Sequence, residues 1–302
     1  MSDIVIPHTQ LVDYIPHRGP NLMPDTVWLA PDLQSSRSET TILPDDPRGR
    51  DCFWRLGADG MRYWNEPFLG ELVALTGVPM LTEALNKEGK VAVFSAISKA
   101  EAPLPAPFHA TLLGQAYITR SRSGFSQFNA TLSVDGEVVY RAEVMSGSAA
   151  MADIVGGERS AQSPLAAGEA LAPFPWKPSA MTFIDRILSD DGKTLSLGYR
   201  YPETHPFVPG HFPEGPLMMG VTQWMAVADG LSLLLQRRGQ SSGEFCGQGS
   251  LTRADGTEVA SARGLRLQLD QGIARCLELR RIMFREVVRP GDELIINVSL
   301  ED

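Results

Sequence analysis

Cysteine is scarce in this chain. Cys52, Cys246 and Cys276 are the only three in 302 residues, and no two share a CxxC spacing. That argues against a disulfide framework or a structural zinc site and fits a reducing, cytoplasmic setting. Basic residues are also short, with 27 Lys and Arg against 36 Asp and Glu, a net charge of −9 and a pI near 5.1. The first 150 residues hold 12 basic and 17 acidic groups, and the remainder 15 and 19. Neither half is a basic module, so nucleic-acid binding has no obvious source. Long apolar runs are missing too. The most apolar stretch, about 217–235, is broken by Thr222, Gln223, Asp229 and Ser232. It reads as a buried helix, not a membrane span. The N-terminus lacks the basic region and apolar core of a secretory signal. What is left, 43% apolar and 21% charged, is the make-up of a soluble globular protein of about two domains.

A turn-rich stretch at 152–173 without apolar periodicity reads as a linker between a first domain, 1–151, and a second, 174–302. The halves carry a faint repeat. Tyr14-Ile-Pro-His-Arg-Gly-Pro-Asn-Leu-Met-Pro-Asp25 opens one, and Phe174-Pro-Trp-Lys-Pro-Ser-Ala-Met-Thr-Phe-Ile-Asp185 opens the other. Each runs from an aromatic through Pro and a base to an apolar segment ending in Asp.

Each half also holds one strong helix signal. The second spans about 220–238, apolar nearly all round, with Arg237, Arg238 and Gly239 closing it. The first spans about 66–76, with Asn65 as N-cap and Pro67 in the first turn. Strands dominate elsewhere. Asp135-Gly136 and Asp255-Gly256 mark hairpins, and two closing strands flank Pro290-Gly291. The second hairpin falls directly after the helix, which implies rearranged topology in that half. The expected class is α+β, with each half one buried helix wrapped by an antiparallel sheet.

Among His8, His17, His109, His205 and His211, any one alone is more often structural than catalytic. His211 differs in context, because Pro206-Phe-Val-Pro-Gly-His211-Phe-Pro-Glu-Gly-Pro216 is a rigid loop that presents its imidazole just before the long helix. Such pre-organisation suits a general base. The helix start near Gly220 offers unpaired amides and a positive dipole end to a carbonyl oxygen. His17 and Arg18 read as anchors of the N-terminal segment. Met218, Met219 and Met225 read as packing, although a flexible apolar lining also suits an acyl chain. Arg237, Arg238, Arg280, Arg281, Arg285 and Arg289 read equally as a solvated surface or as a basic patch for an acidic carrier protein.

The run His211-Phe212-Pro213…Pro216…Gly220-Val221 resembles the active-site segment of the FabZ/FabA-type β-hydroxyacyl-ACP dehydratases. Ile15-Pro-His-Arg-x-Pro20…Asp25 resembles their N-terminal signature, and Val134-Asp-Gly-Glu-Val-Val139 and Val287-Val-Arg-Pro-Gly-Asp292 their later strands. The resemblance implies two hotdog folds in one chain, a pseudo-dimer, acting on an acyl thioester borne by an acyl carrier protein. It implies no metal or redox cofactor. Phe212, Met219, Gly220 and Val221 would meet the substrate. The family pairs its His with an acid fourteen residues later, and that position here is Met225. The first half lacks the His-Phe-Pro loop, so one composite site would draw its acid from the first half. Matching Gly60 and Trp64 to Gly220 and Trp224 favours Glu66, whereas matching Pro67 and Gly70 to Pro216 and Gly220 favours Glu71. The plain reading of either Glu is a solvated helix residue. The implied activity is dehydration of a 3-hydroxyacyl thioester in fatty-acid, polyketide or polyene biosynthesis. Alternatives are a hotdog thioesterase or enoyl isomerase, and an inactive subunit that supports a partner dehydratase or binds acyl chains. Further homo- or hetero-oligomers of double hotdogs fit any of these.

Overall fold

In the computed structural model, which describes residues 2–49, 51–122, 124–156 and 165–301, both halves contribute to one antiparallel sheet. The first half supplies β1 (Ile4–Pro7), β2 (Thr26–Leu29) and β3 (Ser35–Thr40). A separate two-stranded ribbon follows, β4 (Trp54–Leu56) with β5 (Arg62–Trp64), and leads into the first central helix, Glu66–Gly77. After it come β6 (Lys90–Glu101), β7 (Leu112–Arg122), β8 (Phe125–Val134) and β9 (Glu137–Ala150). The second half supplies β10 (Glu169–Ala170), β11 (Arg186–Asp190) and β12 (Thr194–Arg200) before the second central helix, Gly220–Arg237. Then follow β13 (Gly243–Thr252), β14 (Glu258–Asp270), β15 (Ile273–Phe284) and β16 (Glu293–Leu300).

The strands lie in the order β1-β2-β3-β7-β8-β9-β6-β15-β14-β13-β16-β12-β11-β10. The halves meet at β6 and β15, where Ile97 faces Ile282 and Ala96 faces Met283. Alternate residues along the strands are buried, as in Phe125–Val134, where every second side chain packs inward. Those inward faces close on the two helices. One hydrophobic core runs through both halves, with Phe68, Leu72, Trp224 and Leu231 inside it. Each half is thus a hotdog fold, a helix wrapped by an antiparallel sheet, and the pair makes a fused pseudo-dimer.

The halves differ in connection. The first helix is followed by the junction strand β6, but the second is followed by the β13–β14 hairpin, two strands from the junction. In the second half the chain reaches the junction only as β15.

Two local expectations change. Asn65 stands at the helix N-cap position, but its side chain makes no capping hydrogen bond. Of the expected linker, 157–164 lies outside the described residues, and the parts on either side are not plain coil. Met151–Gly156 is helical, and Glu169–Ala170 pairs with β11. Ile154 of that short helix packs on Phe212 and Leu217, and its carbonyl accepts from Arg289 at 2.6 Å. The short helix Met151–Gly156 therefore walls the loop that carries His211.

Candidate active site

His211 is buried on a loop whose geometry is over-determined. Its amide donates to Phe207 O at 3.0 Å, and its own carbonyl accepts from Leu217 N at 3.2 Å. Phe212 holds a φ of 60°, uncommon for a non-glycine residue and the kind of strain that persists only where surroundings enforce it. The ring Nδ1–H donates to Leu217 O at 2.9 Å. That bond fixes the tautomer and leaves Nε2 with its lone pair free for chemistry.

The N-terminal segment of the first half docks on this loop. His17 and His211 form an antiparallel bridge, Arg18 N donates to Gly210 O at 2.8 Å, and Asn21 Nδ2 donates to Phe207 O at 3.1 Å. Arg18 anchors through its guanidinium, which donates to Ile15 O and His17 O. His17 instead enters the site. Its ring meets His211 edge-on at 5.1 Å between centroids, and its Nε2 lies 3.6 Å from Glu71 Oε1. One donor-capable atom from each of His17, Glu71 and His211 lies within 4.8 Å of the other two, and all three residues are buried. This triad draws on three separate parts of the fold.

Gly210 makes the docking feasible. A Cβ there would lie 2.0 Å from Arg18 O and 2.4 Å from Asn21 Nδ2. Gly210→Ala should therefore push the two segments apart and lower turnover at least tenfold, since small misplacements of reacting groups cost rate steeply. Turnover and circular dichroism on the same sample check this, with secondary structure expected to stay intact.

The two candidate acids part ways. The first central helix is buried along its whole length, so neither Glu66 nor Glu71 is the solvated residue that the plain reading expects. Glu66 turns toward the Arg55 guanidinium, lies 3.3 Å from Arg275 Nε, and accepts from Cys276 N. That carboxylate is spent on a buried ion network, and it does not face His211. Glu71, five residues on, faces the opposite way into the triad.

A cavity of about 240 Å³ opens on His17, Glu71 and His211. Ala74, Leu75, Val78, Val93, Phe94 and Val144 give it a mostly apolar wall. Phe212 and Gly220 line it as expected, but Met219 and Val221 do not. Their side chains are fully buried in the core, Val221 against Gly70 of the other central helix. Gln223, absent from the sequence expectations, lines the cavity with a buried Oε1 that has no protein partner. The other three histidines are structural: His8, His109 and His205 each donate a ring N–H to a main-chain carbonyl.

The other end of the β6–β15 junction is closed. Its cavity measures only about 20 Å³ and is lined by Arg55, Lys177, Met225, Asp229 and Cys276. In the repeat, Lys177 takes the place of His17, and it forms a buried ion pair with Asp229. Asp229 Oδ2 also accepts from Phe183 N at 2.8 Å. Salt bridges stand where a second site would lie. The pseudo-dimer has one open site of this kind among the described residues.

Burial pushes the His211 imidazole down to about 4, helped by neighbouring His17, while Glu71 and the Leu217 carbonyl pull the other way. His205 is likewise lowered to about 4, chiefly by burial. Both are therefore neutral at neutral pH. Between pH 6.5 and 4 the unfolded chain binds protons that the folded one refuses, so stability is full above 6.5 and drains as pH falls. Urea midpoints should drop across that window, and His205→Gln should flatten the drop in part.

The fold and this site define a class, a double hotdog with one cavity closed by groups from both halves. No family profile matches the chain. Individual relatives do. It is 30% identical over 119 residues, 39% of this chain and 64% of the relative, to a FabZ 3-hydroxyacyl-[acyl-carrier-protein] dehydratase of Caldanaerobacter subterraneus subsp. tengcongensis. It is 32% identical over 118 residues, 38% of this chain and 60% of the relative, to the FabZ of Chlamydia muridarum. The match thus spans less than two thirds of either relative. Among solved structures, the dehydratase heterocomplex ApeI:P of Xenorhabdus doucetiae aligns at 14% identity and a TM-score of 0.37, covering 46% of this chain and 90% of that one. Over part of its length the chain is thus similar to FabZ dehydratases, and its fold is a double hotdog. No helix among the described residues is long and apolar enough to cross a membrane.

Proposed function

We propose that the protein dehydrates a 3-hydroxyacyl thioester, carried by an acyl carrier protein, to the 2-enoyl thioester. The observation that carries this reading is the meeting of His211 and Glu71, from opposite halves, in one apolar cavity. Neutral His211 takes the α-proton at Nε2. Glu71 gives a proton to the departing β-hydroxyl, which leaves as water. The pairing follows general acid–base logic, one group taking a proton and the other giving one. In the first turn of the second central helix Thr222 N and Gln223 N donate to Met219 O, so the donors left for a thioester carbonyl gathering enolate charge are the amides of Gly220, which lines the cavity, and of Val221. Gln223 Oε1 offers an acceptor to a substrate hydroxyl.

The carrier would approach the cavity mouth, where Arg285 and Val287 stand. The six arginines do not act together. Arg237 pairs with Asp190, Arg238 holds Gly192 O, and Arg289 holds Ile154 O. Arg285 pairs with Glu258, and Arg280 and Arg281 are exposed on the junction strand β15. The setting we infer is cytoplasmic fatty-acid, polyketide or polyene assembly. Incubation with a 3-hydroxybutyryl thioester tests the reading. Enoyl product without free thiol supports dehydration; free thiol with no enoyl product means a thioesterase instead.

A further inference from the structure

We propose that His17, Glu71 and His211 also form a binding site for a divalent transition-metal ion such as Zn²⁺, and that the ion shuts off the acid–base pair. The site stands on geometry alone; its inhibitory effect rests on the dehydratase reading. Two imidazoles and a carboxylate are a donor set that selects zinc-like ions over magnesium or calcium. Zinc bonds to these atoms run near 2.0–2.1 Å, which puts tetrahedral donors about 3.3 Å apart. His17 Nε2 and Glu71 Oε1 already lie 3.6 Å apart, and no pair in the triad exceeds 4.8 Å. Closing the remaining gap takes about 1.5 Å of movement or less.

Of the two imidazoles, His211 is held as metal ligands usually are, whereas His17 Nδ1 has no hydrogen-bond partner. The His211 Nδ1–H is held by a main-chain carbonyl, which aims Nε2 and raises its donor strength, as is usual for metal-bound histidine. The His17 backbone is clamped by its bridge to His211 and by Arg18. The cavity leaves a fourth position open to water or to a substrate oxygen or sulfur. Each donor gives one lone pair to the ion, and any proton on Glu71 or on Nε2 of either histidine passes to solvent. The bound ion then occupies the lone pair that His211 needs as a base and the oxygen that Glu71 needs as an acid. It inhibits by taking both groups at once.

The test uses the intact chain, freed of metal with EDTA. Co²⁺ is titrated while its ligand-field absorption is followed, and Zn²⁺ binding is measured by calorimetry. One ion per chain is expected, with His17→Asn and Glu71→Gln each weakening it at least tenfold. Melting curves show that the variants remain folded. Zn²⁺ should abolish dehydration in proportion to occupancy, and EDTA should restore it. Failure to bind one ion per chain, or variants that bind as tightly as the parent, overturns the site. A zinc-loaded protein that dehydrates at the metal-free rate overturns the inhibition. One-to-one binding by a protein that never dehydrates leaves the metal site standing and sinks the dehydratase reading alone.

Discussion

Replacing His211 with Ala is expected to lower the dehydration rate about 10²- to 10⁴-fold, the range that a positioned general base supplies. On the proposed mechanism the loss should fall on kcat, because there the imidazole meets only the α-proton, and the apolar wall that would take the acyl chain is untouched. Stability should move the other way if at all. A buried imidazole with a lowered proton affinity is a liability below neutral pH, so the variant should resist mild acid better than the parent. Steady-state kinetics beside urea melts at two pH values separate these effects. The parent's kcat/KM should hold down toward pH 5 and fall as pH passes through about 4, where His211 gains its proton and ceases to be a base.

The second large effect separates two glutamates on one helix. Glu71→Gln keeps the shape and removes the acid. Turnover should fall by about 10² or more, with a nearly unchanged melting temperature. Glu66→Gln should do the reverse. It strips the buried Arg55 and the half-buried Arg275 guanidinium groups of their carboxylate, and breaking the buried Arg55 pair in this way costs about 3–5 kcal/mol. The melting temperature should drop sharply, and any protein that remains folded should turn over near the parent rate. Were Glu66→Gln to kill turnover and Glu71→Gln to spare it, the acid would be misassigned.

The sequence made His211 legible because Pro and Gly around it encode a rigid loop locally. It left Glu66 and Glu71 unresolved for a physical reason. Every residue of their helix is buried, so there is no polar face to contrast with an apolar one, and periodicity cannot say which carboxylate points where. Only tertiary neighbours settle it: Arg55 and Arg275 on one side, His17 on the other. The place of His17 in the site was hidden in the same way. Its loop, Pro16-His17-Arg18-Gly19-Pro20, has the Pro and Gly framing seen at His211, and that was the available signal. Its importance, however, comes from docking onto a loop nearly two hundred residues away. The helix and hairpin at Asp255-Gly256 could be read from local pattern, whereas the joining of β6 to β15 is a long-range pairing with no local mark.

The central claim is that His211 of one half and Glu71 of the other work as a single pair. A double-mutant cycle measures it: enoyl formation from a 3-hydroxybutyryl thioester by the parent, His211→Ala, Glu71→Gln and the double variant. Groups that act as a unit lose their effect together. The double variant should be no slower than about the slower single one. Losses that multiply, or a parent that forms no enoyl product, would contradict the claim.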